Sequence, residues 1–161
     1  MGQHTRSAGY YQHEDFQSSS GGSEAAQIGG HTGYKVDQDG EYAYINIYIP
    51  KNFASLLELV VLLIPYATAT PMYMRVVTDW SQNGEAYFLH NEANLHKSVN
   101  TVLNRKVELD VKDCVDAQPV DPGDYIGIQI GRVAALSPAH NTNALVIGAK
   151  YKMLLKRKAE A

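Results

Sequence analysis

Apolar and polar positions alternate with period two along most of the chain, which is the pattern of half-buried strands. Residues 41–49 put Ile45, Ile47 and Ile49 on one face and Tyr44, Asn46 and Tyr48 on the other; Pro50 ends the run. Residues 52–56 read as a turn or one helical turn. Residues 57–64 are apolar on both faces, as in a central strand covered on both sides, and Pro65 stops them. Residues 70–78 set Met72, Met74 and Val76 against Tyr73, Arg75 and Val77. A long polar connection over 79–94 follows, then a weak strand over 98–103. Residues 106–111 turn Val107, Leu109 and Val111 inward. Residues 113–120 form a connection with one helical turn, and Asp121-Pro122-Gly123-Asp124 is a strong turn signal. Residues 125–132 align Ile126, Ile128 and Ile130. After a loop over 133–142, residues 144–155 predict the last strand, with Leu145, Ile147, Ala149, Tyr151, Met153 and Leu155 in one row.

This makes seven or eight strands and no long amphipathic helix. The predicted fold is an all-β antiparallel sandwich, jelly-roll-like, because several connections suit Greek-key crossovers better than hairpins. Residues 34–155 form that sandwich. Residues 1–33 carry no period and contain Ser18-Ser19-Ser20-Gly21-Gly22-Ser23, so they predict an extended or flexible N-terminal arm. Its sticky side chains Tyr10, Tyr11, His13 and Phe16 are the candidate partner contacts of an arm that orders on a neighbouring subunit; a disordered leader is the plainer alternative. Deleting residues 1–33 is then expected to leave a folded sandwich. Residues 156–161 form a basic C-terminal tail.

Composition narrows the function. The chain has 161 residues, enough for one domain with its own core. One cysteine, Cys114, excludes an intramolecular disulfide and a thiolate cluster. Residues 1–30 lack the apolar stretch of a secretory signal, and the longest apolar run is too short to span a membrane as a helix, so no membrane partner is expected. A net charge of −3 does not favour a nucleic-acid partner. The charge is uneven: residues 34–149 carry 8 basic and 13 acidic side chains, whereas residues 150–161 carry 5 basic and one acidic. Eleven tyrosines against 3 Phe and 1 Trp favour half-exposed strands and interfaces.

Candidate chemistry is sparse. His4, His13, His31, His90 and His96 have no zinc-ligand spacing. Asp79, Asp121 and Asp124 are the weak candidates for a loop calcium site. Glu108 and Asp110 alternate with inward apolar residues and read as a solvated strand face; Asp113 and Asp116 lie in a connection. There is no nucleophile elbow, phosphate loop or dinucleotide fingerprint, and nothing poises Cys114 as a nucleophile. No catalytic residue, cofactor or metal centre is expected. Trp80, Tyr87 and Phe88 fall in one polar connection and predict a lid over the core, a subunit contact or a glycan platform. Lys156, Arg157 and Lys158, beyond Lys150 and Lys152, are either a solubilising end or an electrostatic contact.

The segments Tyr48-Ile49-Pro50-Lys51-Asn52-Phe53-Ala54-Ser55-Leu56, Val60-Val61-Leu62-Leu63-Ile64-Pro65, Ala67-Thr68, Gly84-Glu85-Ala86-Tyr87, Asp121-Pro122-Gly123-Asp124-Tyr125-Ile126-Gly127 and Val146-Ile147-Gly148-Ala149-Lys150-Tyr151 follow one another in an order that resembles a family of small β-sandwich virion structural proteins of phage and environmental viral genomes. The resemblance spans roughly residues 34–152. It implies a virion location, on the capsid surface or in the shell. It also implies a decoration (cement) or minor capsid role, homo-oligomerisation as a trimer, and contact with other virion proteins such as a major capsid protein. The alternative function is a carbohydrate-binding sandwich module on a virion or cell surface.

Overall fold

In the computed structural model, which describes residues 10–133 and 143–156, the chain is an all-β antiparallel sandwich. Its strands are β1 (Tyr10–Asp15), β2 (Ser18–Ser20), β3 (Glu24–Ile28), β4 (His31–Val36), β5 (Tyr42–Tyr48), β6 (Phe53–Pro65), β7 (Ala69–Ser81), β8 (His90–Thr101), β9 (Val107–Asp110), β10 (Tyr125–Arg132) and β11 (Ala144–Leu155). A 3-10 turn, Lys112–Val115, follows β9. One sheet has the order β3-β4-β11-β6-β9, with β1 also paired to β11; the other has the order β2-β5-β10-β7-β8.

The core forms where the inward rows of the two sheets meet. Ile45, Ile47 and Ile49, with Met72, Met74, Val76 and Trp80 and with Ile126, Ile128 and Ile130, come from the second sheet. Leu59, Val61 and Leu63 of β6, with Ala144, Val146, Ala149, Tyr151 and Met153 of β11, face them. Residues 57–64 do lie in a central strand, between β11 and β9. That strand starts earlier than its apolar run, at Phe53, after a turn closed by Phe53 N–H donating to Pro50 C=O at 2.9 Å.

Three features depart from the sequence reading. The connection placed over 79–94 is shorter: β7 continues to Ser81 and β8 begins at His90. The predicted row along β11 breaks at Ile147. Val146 pairs with Leu63 and Gly148 with Leu62, so Ile147 is an extra residue, a β-bulge. The bulge turns Leu145 and Ile147 outward, into a second small cluster with Ile64 and, at its rim, Ala26, Ile28, Leu62 and Tyr66. Downstream of it Ala149, Tyr151 and Met153 face the main core.

The third departure concerns residues 1–33. From Tyr10 onward they are strands of both sheets of their own chain: β1 runs antiparallel to β11, β2 to β5, and β3 forms a hairpin with β4. The chain changes sheets between β1 and β2. Phe16 N–H donates to Ile147 C=O at 3.2 Å in one sheet, and Gln17 N–H to Tyr44 C=O at 2.9 Å in the other. The Phe16 ring is buried in the core between them. Strand order and pairing therefore begin before residue 34.

Candidate functional site

The titratable side chains are mostly tied into the fold. Glu41 accepts the backbone N–H groups of Asp37 and Gln38, at 2.6 and 3.1 Å. Glu92 accepts those of Asp116 and Ala117, at 2.7 and 2.5 Å. Asp124 accepts that of Asp121 at 2.7 Å, closing the turn before β10, and burial pushes its carboxyl above the usual range. Lys97 holds Asp113 at 2.6 Å and keeps its carboxyl low. Cys114 is buried, and desolvation pushes its thiol up to about 12, which removes the thiolate at neutral pH. His90 rests against the Trp80 ring, centroids 5.9 Å apart. Among the described residues no group of three or more His, Cys, Asp and Glu side chains converges as metal ligands would.

The outer face of the β1-β11-β6-β9 region closes on itself. Lys150 Nζ lies 2.7 Å from Glu108 Oε1 and 3.4 Å from Glu58 Oε1. Tyr11 donates its hydroxyl to Glu58 at 2.8 Å, and Lys150 and Lys152 sit over its ring, 5.2 and 4.9 Å from the centroid. Glu108 is thus an ion-pair partner on a solvated face, as its alternation with Val107 and Leu109 predicts.

The sequence-predicted contacts scatter. Tyr11 and His13 lie on this outer face of their own chain, with His13 Nδ1 3.6 Å from Asp15 Oδ1. Phe16 is in the core. Tyr10 contributes its backbone opposite Met153, and its side chain lies outside the described residues. Trp80 leaves the proposed aromatic group altogether. It is fully buried at 0% exposure, in phase with Met72, Met74 and Val76, and donates its indole N–H to Pro119 C=O at 3.2 Å. Tyr87 and Phe88 stay together in the loop between β7 and β8, in edge contact with centroids 4.9 Å apart. They are 70% and 56% exposed, and Leu89 beside them is 51% exposed. Lys156 is exposed after β11, while Arg157 and Lys158 lie outside the described residues.

The sequence reading missed the outer face of β5-β10-β7. Strand register sets side chains there in cross-strand rows. Tyr48, Tyr125 and Ser81 form one row; Asn46, Gly127, Asp79 and Asn91 form the next; Tyr44, Gln129 and Val77 form a third. Tyr48 and Tyr125 touch, with centroids 5.0 Å apart and planes tilted by 47°, and both are about half exposed. Gly127 leaves a notch in the middle, into which Asp79 leans: a Cβ at Gly127 would sit 3.0 Å from Asp79 Oδ1. Among the described residues no donor or opposing charge reaches Asp79, and burial alone raises its carboxyl above the ordinary range.

No family model and no curated protein matches the chain.

Proposed function

We propose that the protein is a non-enzymatic virion structural protein, a capsid decoration or minor capsid subunit that acts by assembling with copies of itself and with other virion proteins. The observation that carries this reading is the strand order. Leaving aside β1, β2 and β3, two four-stranded sheets remain, β4-β11-β6-β9 against β5-β10-β7-β8. Successive strands from β4 to β7 alternate between the sheets, β8 pairs with β7, and β9, β10 and β11 alternate back. That connectivity supports the jelly-roll reading, an architecture used by viral capsid proteins and by lectins. The family resemblance over residues 34–152 supports the virion side of that pair.

The assembly surface in this reading is the loop between β7 and β8. Tyr87, Phe88 and Leu89 are three consecutive exposed apolar side chains at a loop tip. Such a run is costly in water unless a partner covers it. Three copies meeting at this tip would bury it around one axis, and the trimer would present the rest of each sandwich to the shell.

Light scattering on the full chain tests this. A mass three times the 17.7 kDa of the chain is expected, falling to one when Tyr87 and Phe88 are both replaced by Ser. A wild-type monomer at micromolar concentration overturns the assembly reading.

A further inference from the structure

We infer that the outer face of β5-β10-β7 is a carbohydrate-binding site, centred on the notch at Gly127 and taking one pyranose unit of a neutral glycan. This goes beyond the assembly role and uses none of its contact residues.

The argument starts from what surrounds the notch. Gly127 has no side chain, and the Asp79 carboxyl leans into the dip this leaves, between Tyr125 and Gln129 along β10 and opposite Asn46 across it. Tyr48 and Tyr125 offer exposed aromatic surface at one edge of the dip. A sugar ring carries C–H groups on one face and hydroxyls round its rim. It needs an aromatic surface for the first and fixed acceptors and donors for the second.

Those polar groups stand in place and unspent. Asp79 has two carboxylate oxygens with no donor among the described residues. The Gln129 amide is half-buried and makes no side-chain hydrogen bond among them either. Asn46 donates through Nδ2 to Gln17 Oε1 at 3.2 Å, which fixes the amide, and its carbonyl oxygen takes no donor among the described residues. A half-buried carboxylate without a partner is costly. The other acids described above are stabilised by backbone N–H groups or lysines; Asp79 would gain equivalent bonds from two ligand hydroxyls. A single carboxylate among neutral amides and tyrosines suits hydroxyl donors better than a polycation, which would call for several acids.

The test is calorimetric titration of the full chain with glucose, galactose, mannose, N-acetylglucosamine and N-acetylgalactosamine, and with short oligomers of each. At least one oligomer is expected to bind, with an affinity weakened tenfold or more in Tyr125→Ala and in Asp79→Asn. Gly127→Val should abolish binding, because its side chain displaces the Asp79 carboxyl from the notch. Circular dichroism and thermal melting of each variant separate loss of the site from loss of the fold. Should Gly127→Val fail to fold, Asp79→Asn and Tyr125→Ala still decide. No binding across the panel overturns the inference, and so does binding that Asp79→Asn and Tyr125→Ala both leave unchanged. A change in solution mass in Tyr125→Ala, with no sugar bound by the wild type, also overturns it and makes the face a contact between copies. The assembly reading fails separately, on the wild-type mass.

Discussion

Phe16 donates its backbone N–H to the carbonyl of Ile147, the residue that bulges out of β11. The first strand of the sandwich leaves one sheet at this bond, and the Phe16 ring drops into the core as it crosses to the other. The N-terminal segment is thereby bound into the fold by a buried aromatic as well as by strand pairing. Phe16→Ala is expected to cost about 3–5 kcal/mol, the range for emptying a buried Phe site. Urea unfolding followed by circular dichroism should show the midpoint falling with little change in slope. Deleting residues 1–33 removes β1, β2, β3 and the first half of β4, and uncovers one edge of β11 from residue 148 onward. The truncated chain is therefore expected to be aggregation-prone rather than an independent sandwich.

Gly148 follows the bulge, and β1 passes so close that a Cβ there would lie 2.4 Å from the Glu14 carbonyl oxygen. Backbone cannot yield as a flexible side chain does. Gly148→Ala should push β1 off β11 at that point and cost roughly 1–3 kcal/mol, as overpacking does. Hydrogen exchange should report it locally, with faster exchange from β1 amides and near-normal protection in β10.

Trp80 is the only tryptophan, so its environment is directly readable. Full burial predicts blue-shifted emission and little quenching by iodide in the native protein. Emission should move red, and quenching should appear, only on unfolding. Cys114 should behave in parallel: with its thiol pushed up to about 12, iodoacetamide should leave it unmodified at pH 8 until denaturant is added.

Acid titration should separate two kinds of carboxylate. Lysines lower the carboxyls of Asp37 and Asp113, and Tyr11 with Lys150 lowers that of Glu58. The stability these groups contribute is present above the ordinary carboxylate range and is lost as pH falls through their folded values. Their exposure keeps each contribution small. Asp79 and Asp124 are raised by burial, so their ionised forms oppose folding at neutral pH. Asp79→Asn should therefore raise the melting temperature slightly at pH 7 and make no difference at pH 3, where the wild-type carboxyl is already protonated. Gaining stability while losing sugar binding is the trade expected of a residue kept for function.

Much of the fold was legible because a buried face leaves a period-two trace. Ile45, Ile47 and Ile49, and Ile126, Ile128 and Ile130, mark β5 and β10 with no ambiguity of register. Trp80 was legible too, had the row Met72, Met74, Val76 been carried on through Thr78 instead of stopping at the polar stretch. The β11 bulge was not, since an inserted residue leaves every side chain apolar and shifts only the phase. Nor were β1 and β2: Gln12, His13, Glu14 and the serines supply backbone pairing at sheet edges, where side chains carry no pattern. The residues of the proposed sugar site sat on recognisable outward positions, yet nothing local makes β5, β10 and β7 neighbours. That adjacency comes from connections crossing between the sheets.

The pairings of β11 also impose an order in time. β1, β4 and β6 all take β11 as a partner, and β11 begins only at Ala144. Until then β4 can pair only with β3 and β6 only with β9, and each waits with the edge that β11 will take unpaired. Closure of that sheet is then a late event among these strands, dominated by long loops, which makes folding slow and leaves the nascent chain exposed to its neighbours until β11 has been made.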